Sequence, residues 1–180
     1  IVVNDATSNV VKEIARKHNA QYFETGVGEI NVVDKMCSIN APVSGEGSSS
    51  GTIIYPSKCR DGILTLIYIL KIIAESNKKI DELVNALPEY YNLKKKVKID
   101  SKKYSIIEKK IGFYYQKKGF KIKKDMGSGS LKAELNNSFA WFRISKTEAD
   151  VLRVITDSNN KDMAEELMQE ALNLVKSYSK

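Results

Sequence analysis

The stretch "LKAELNNSFAWFRISKTEADVLRVITD" (131–157) decides the fold of the chain's second half. It breaks into three apolar-rich runs, "LKAEL", "SFAWFRIS" and "VLRVITD", separated by the polar pieces "NN" and "KTEAD". Aromatic and β-branched residues dominate the runs and the breaks are short, so the spacing predicts three consecutive strands. Upstream, "GFKIKK" (119–124) alternates like a further strand, and "MGSGS" (126–130) is a turn. A helix near 101–118 precedes it, with Ile106, Ile107, Ile111, Tyr114 and Tyr115 among lysines. After the strands, Asn159 or Asn160 caps an amphipathic helix carrying Met163, Leu167, Met168, Ala171, Leu174, Val175 and Tyr178. The expectation is a small α+β domain over 95–180, with a four-stranded antiparallel sheet and two helices.

Residues 1–94 read differently, as an alternating α/β unit, so the fold class is α/β followed by α+β. "IVVND" is a short buried strand and Ser8 caps a helix to about Lys17. "QYFET" is the next strand, "GVG" (26–28) a turn, and "INVVDKM" a short helix. A Gly/Ser loop, "GEGSSSG" (45–51), leads to the strand "TIIYP". Asp61 then caps a helix to about Ser76 that is apolar on nearly all sides, which predicts burial on more than one face. "KIDELVNAL" closes the unit, and "NLKKKVKID" (92–100) reads as an extended crossover between the two domains.

Composition narrows the function. The most apolar run, Ile63 to Ala74, contains Lys71 and falls short of the ~20 residues a bilayer requires, so no membrane partner is expected. No signal peptide precedes the fold, and the chain opens on an apolar run without Met, which reads as a fragment or processed product. Two cysteines, Cys37 and Cys59, and one histidine, His18, argue against metal clusters and suit a reducing, cytoplasmic setting. His18 sits at a helix end, where a solvated cation is the plain reading. The net charge is +7, and thirteen lysines crowd residues 94–124 against Asp100 and Glu108. Such a patch can attract nucleic acid. With no arginine in it, a solvated basic face is the simpler reading.

Two polar loops could carry chemistry. In "GEGSSSG" the carboxylate of Glu46 can accept hydrogen bonds from sugar hydroxyls, and the serines can donate or accept. On composition it is equally a solvated linker. In "RISKTEA" (143–149), Arg143, Ser145, Lys146 and Thr147 offer a guanidinium fork, an ammonium and two hydroxyls within five residues, which suits a phosphate dianion. The chain has four arginines, and Arg60, Arg143 and Arg153 lie in or beside these loops amid abundant lysine. Guanidinium is favoured where bidentate geometry rather than charge is needed. A hydroxyl-reading loop and a phosphate-gripping loop are together what a phosphosugar site needs.

With those residues in view, the chain resembles the C-terminal half, domains three and four, of the α-D-phosphohexomutases (phosphomannomutase, phosphoglucomutase and phosphoglucosamine mutase). "TGVG" (25–28) is similar to the family's Thr-x-Val-Gly turn, and "GEGS" (45–48) to its sugar loop Gly-Glu-x-Ser. "RDGI" (60–63) and "ELVNALPEYY" (82–91) resemble its Asp-Gly helix start and Leu-Pro-x-Tyr ending. "RISKTEA" resembles the phosphate loop Arg-Pro-Ser-Gly/Asn-Thr-Glu-Pro. Departures are a sugar loop about two residues longer, Ile144 and Ala149 in place of prolines, Lys146 in place of Gly or Asn, and one extra residue before Arg153.

The resemblance implies sugar contacts from Thr25, Gly28, Glu46 and Ser48 or Ser50, and phosphate contacts from Arg143, Ser145, Lys146 and Thr147. It implies a parent enzyme that interconverts hexose 1- and 6-phosphates through a bisphosphate, using a phosphoserine and Mg²⁺. The motifs that carry those groups, Thr-Ala-Ser-His-Asn-Pro and Asp-Gly-Asp-x-Asp-Arg, do not occur here. The implied partners are a hexose phosphate and the N-terminal half of the same enzyme, with no catalytic residue and no metal ligand on this chain. A stand-alone phosphosugar-binding module and a Lys-rich nucleic-acid-binding domain are the alternatives.

Overall fold

The computed structural model describes residues 1–47, 51–125 and 127–179. The chain divides into two compact units, Ile1–Glu89 and Tyr90–Lys180.

In the first unit, β1 (Val2–Asn4) runs parallel to both β2 (Phe23–Thr25) and β3 (Val43–Gly45), and β4 (Ile53–Ile54) pairs antiparallel with β3. The sheet order is β2-β1-β3-β4. Helix α1 (Asn9–Lys17) starts where the Ser8 hydroxyl accepts the Val10 amide. Helix α2 (Glu29–Ser38) supplies Val32, Val33 and Met36, which pack with Val2, Ala41 and Ile53 into a core that excludes water. Because β1, β2 and β3 are parallel, their carboxyl ends gather Asn4, the 25–28 turn and Glu46 at one edge of the sheet. Strand β3 is too short and polar, Val-Ser-Gly, to be read from the sequence.

Helix α3 (Gly62–Ser76) begins as expected, with the Asp61 side chain accepting the Leu64 amide, and a short helix α4 (Ile80–Asn85) follows. The expected burial of α3 on more than one face is corrected: none of its residues is buried, and Ile63 is 77% exposed. Leu66, Ile67, Leu70 and Ile72 are exposed with it. A helix apolar all round needs covering on several sides. Among the described residues α3 is instead tied by polar contacts, chiefly Thr65 to Thr52 at 2.9 Å.

In the second unit, the expected four-stranded sheet is corrected to five strands in the order β5-β9-β8-β7-β6, antiparallel throughout. These are β5 (Tyr91–Lys98), β6 (Lys121–Asp125), β7 (Ser130–Leu135), β8 (Ser138–Ile144) and β9 (Val151–Ser158). The segment read as a crossover is β5, paired with β9 along its whole length. The units accordingly part at residues 89 and 90 rather than 94 and 95, since Tyr91–Lys94 already pair in the second sheet. Lysines on both edge strands, β5 and β6, disfavour pairing with further chains.

Helices α5 (Tyr104–Lys117) and α6 (Lys161–Ser179) cover one sheet face. The Asn160 side chain caps α6 by accepting the Met163 amide. Ile107, Ile111 and Tyr115 of α5 meet Leu167, Met168, Ala171 and Val175 of α6 over Leu131, Ala133, Ala140, Phe142, Leu152 and Val154.

The contrast between the two surfaces is testable by chemical denaturation. Phe142→Ala, at a fully buried site, should cost about 3–5 kcal/mol. Ile67→Ser on exposed α3 should change stability by less than about 0.5 kcal/mol.

Candidate functional site

Glu46 stands just past β3, at the carboxyl edge of the parallel strands. Its Oε1 accepts the Gly28 amide at 2.9 Å and the Asn4 Nδ2 at 3.3 Å, and its Oε2 lies 3.6 Å from Arg60 Nη1. The side chain is only 13% exposed, so these contacts define where the carboxylate points. Asn4 is itself fixed: its Nδ2 donates to the Glu46 carbonyl, and its Oδ1 accepts from the Ala6 amide and the Thr7 hydroxyl. Gly28 carries a φ of +132°, a backbone state that side chains disfavour, and this turns its amide toward Glu46.

Arg60 is held from its other side. Its amide and Nε donate to the two oxygens of Glu29, both at 2.9 Å. The Arg60 amide, then its guanidinium, hold the Glu29 carboxyl below the usual carboxylate range. One guanidinium thus lies between two carboxylates, and Glu46 Oε2 keeps acceptor capacity for a hydroxyl. Thr25 ends β2, but its hydroxyl points to the Val3 and Gly26 carbonyls rather than to Glu46. Ser48 and Ser50 lie outside the described residues. Sequence reasoning noted Arg60 only for its rarity and passed over Asn4 and Glu29; an Asn at a strand end gives no readable signal.

In the second unit, the loop between β8 and β9 gathers the other group of residues. The Ser145 amide donates to the Val151 carbonyl at 2.7 Å and closes the loop, with Asp150 in the left-handed region at φ +55°. The Ser145 hydroxyl accepts the Glu148 amide at 3.2 Å and lies 3.3 Å from the Thr147 hydroxyl. Arg143 is 8% exposed, and its Nε donates to the Ser128 carbonyl at 3.1 Å. The strand register aligns Ser130, Arg143, Arg153 and Lys96 in one row across β7, β8, β9 and β5.

Glu148 is the carboxylate within this cationic row: Lys96 Nζ donates to it at 2.8 Å and Arg153 Nη2 at 3.1 Å. Those two cations, Lys96 first, hold its carboxyl below the ordinary range. Arg153 Nη2 also donates to the Thr147 hydroxyl at 3.3 Å. Tyr104 braces the same region, its hydroxyl donating to the Gly129 and Phe142 carbonyls at 3.2 Å, and burial raises its ionisation above the ordinary range. Lys146 is exposed, and its charge bears on Asp125. The structure thus brings Arg143, Ser145, Thr147 and Arg153 to one loop of cations, hydroxyls and amides, an arrangement suited to an oxyanion. Among the described residues no cluster of His, Cys, Asp and Glu could hold a metal ion, and no helix is long and apolar enough to cross a membrane.

Comparison with known proteins agrees with this anatomy. The family profile described as phosphoglucomutase/phosphomannomutase, alpha/beta/alpha domain III, matches residues 1–91. The chain belongs to the phosphoglucomutase/phosphomannomutase family. It is 30% identical over 182 residues to a phosphoglucomutase/phosphomannomutase of Thermococcus kodakarensis, covering 100% of this chain and 38% of the relative. It is 29% identical to a phosphoglucosamine mutase of Methanococcus maripaludis, covering 98% of this chain and 39% of the relative. The chain therefore spans well under half the length of these relatives.

Among solved structures, parafusin, the exocytosis-sensitive phosphoprotein (a phosphoglucomutase) of Paramecium, matches in its open form with a TM-score of 0.80 at 16% identity. That match covers 99% of this chain and 38% of parafusin. Aspergillus fumigatus N-acetylphosphoglucosamine mutase, solved with GlcNAc-6P and magnesium, matches with a TM-score of 0.70 at 13% identity, over 99% of this chain and 39% of that protein. At such identities these structures establish the fold.

The lowered ionisation of the Glu29 carboxyl bears on stability. A carboxyl whose folded value lies below its unfolded one stabilises the fold fully above the unfolded value, about pH 4, and loses that contribution as pH falls through the folded value. Denaturant midpoints of the first unit should therefore drop as pH falls below about 5. In Glu29→Gln the drop should be shallower.

Proposed function

We propose that this chain is the substrate-binding C-terminal portion of a phosphohexomutase that interconverts hexose 1- and 6-phosphates through a bisphosphate. The observation that carries the reading is the β8–β9 loop, where the Ser145 and Thr147 hydroxyls and Arg153 meet on a closed backbone turn, with Arg143 opposite Arg153 in the strand register. Its chemistry suits the phosphate that is not reacting. Glu46, fixed by Gly28, Asn4 and Arg60, suits a ring hydroxyl. With both oxygens directed by these neighbours, Glu46 serves in this reading as a hydroxyl acceptor rather than as a general base.

In this reading the chain positions and does not catalyse. The bisphosphate must present each of its ends in turn, so the grip on phosphate and on hydroxyls must serve both orientations. Binding of that kind orients the reacting group without itself lowering the barrier of the transfer. The phosphoserine and Mg²⁺ belong to the N-terminal half of the parent enzyme. The solved Aspergillus relative was crystallised with both a sugar phosphate and magnesium, which is consistent with this division. The bare apolar surface of α3 also suits a unit that packs against further domains rather than one that works as a stand-alone binding module. A cytoplasmic setting fits the two free cysteines.

The nucleic-acid alternative draws less support. The lysines of 94–124 are spread over both sheet edges and α5, and several are paired: Lys96 with Glu148, Lys118 with Glu170, Lys123 with Glu134 and Lys124 with Glu108.

Calorimetric titration of the chain with a hexose 6-phosphate separates these readings. Arg143→Ala should weaken binding by about 2–3 kcal/mol, the loss of charge-assisted hydrogen bonds. Glu46→Gln should weaken the sugar phosphate and leave inorganic phosphate unchanged. Equal binding by Arg143→Ala would remove the basis of the proposal. Oligonucleotide binding that falls steeply with salt and survives Arg143→Ala would favour the nucleic-acid reading.

A further inference from the structure

The turn between β6 and β7 was legible in the sequence only as a Gly/Ser break, yet the Arg143 guanidinium is aimed from there. Arg143 Nε donates to the Ser128 carbonyl at 3.1 Å in a buried hydrogen bond. With that edge committed, the Nη1–Nη2 pair is the edge left for an anion to engage end-on. The direction of the fork therefore depends on where the Ser128 carbonyl points.

A turn containing Gly127 and Gly129 has little intrinsic preference to hold a carbonyl in one direction. Asp125 supplies the constraint. Its Oδ1 accepts the Gly127 amide at 3.2 Å, its Oδ2 accepts the Ser128 amide at 2.9 Å, and its own carbonyl accepts the Gly129 amide at 2.8 Å. The Ser128 and Ser130 hydroxyls lie 3.0 Å apart inside the turn, and Tyr104 donates to the Gly129 carbonyl. Ser128 and Ser130 are both buried. On the opposite loop, the charge of Lys146 also bears on Asp125. One carboxylate thus holds the turn against which Arg143 rests.

We propose that Asp125 is a positioning residue of the anion site: its carboxylate locks the Gly127–Ser130 turn, and the Ser128 carbonyl of that turn aims the Arg143 fork. This rests on the phosphate reading of the Arg143–Thr147 loop and deepens it. The placement runs against simple electrostatics, since a carboxylate near a dianion opposes its binding. Its presence is accounted for by geometry.

That opposition gives the test a decisive sign. Inorganic phosphate and a hexose 6-phosphate are titrated into the wild-type chain and into the Asp125→Asn and Asp125→Glu variants. Exchange of the Arg143 Nε–H is followed by arginine-selective NMR. Asp125→Asn removes a negative charge, which by electrostatics alone tightens anion binding; positioning requires it to weaken, by about tenfold, the factor for one charged hydrogen bond. Asp125→Glu keeps the charge but moves the carboxylate by one methylene, and should weaken binding similarly. In both variants the Arg143 Nε–H should exchange faster while the β8 backbone amides stay protected.

Binding unchanged or tighter in Asp125→Asn, or an Nε–H still protected in either variant, overturns the proposal. Should Asp125→Asn fail to fold, Asp125→Glu decides by the same two readouts. Arg143→Ala in the same titration reports on the underlying phosphate reading: wild-type affinity there sinks that reading, whereas the Nε–H exchange, which needs no ligand, judges the role of Asp125 separately.

Discussion

The register of β8 between β7 and β9 is the constraint on which the second unit depends. A slip of one residue would turn every side chain of β8 to the opposite face. In the observed pairing Ala140 and Phe142 face the helices, while Arg143 falls in a row with Ser130, Arg153 and Lys96. The core residues and the loop's cations are therefore set by one alignment. Burial of Phe142 against α5 and α6 fixes the register, and the register delivers Arg143 to the turn that holds it.

Each unit uses a charged group whose freedom has been removed by its neighbours. Glu46 has a glycine amide, an asparagine amide and a guanidinium around it, and that guanidinium is anchored by Glu29. Arg143 has its Nε on a carbonyl, and that carbonyl sits in a turn tied to Asp125. In both places a long or flexible side chain would otherwise lose conformational entropy on meeting a ligand. Holding it beforehand reduces that loss.

How far the sequence was readable varied with the range of the interaction. The three strands in 131–157 and the caps at Ser8 and Asp61 were legible because they depend on neighbouring residues. Strand β5 was missed because Lys94, Lys95 and Lys96 hide the alternation of Leu93 and Val97. An edge strand can carry those lysines, since its outer side meets solvent. Helix α3 misled in the opposite sense: its apolar residues signal burial, but the described chain supplies no cover for them. The scarcity of arginine pointed to Arg143, Arg60 and Arg153. Nothing local pointed to Asn4, Glu29 or Asp125, because Asn4 and Glu29 meet their partners 31 or 42 residues away, and Asp125 acts on Arg143 only through the turn.

The central claim is the proposal that the β8–β9 loop of the second unit grips the phosphate of a hexose phosphate. A titration of the isotopically labelled chain with a hexose 6-phosphate, followed by backbone amide shifts, tests it most directly and detects weak binding. The account predicts saturable shifts at Ser145, Thr147 and Glu148. Shifts confined to the lysine-bearing β5, β6 and α5, with those amides unmoved, would contradict it.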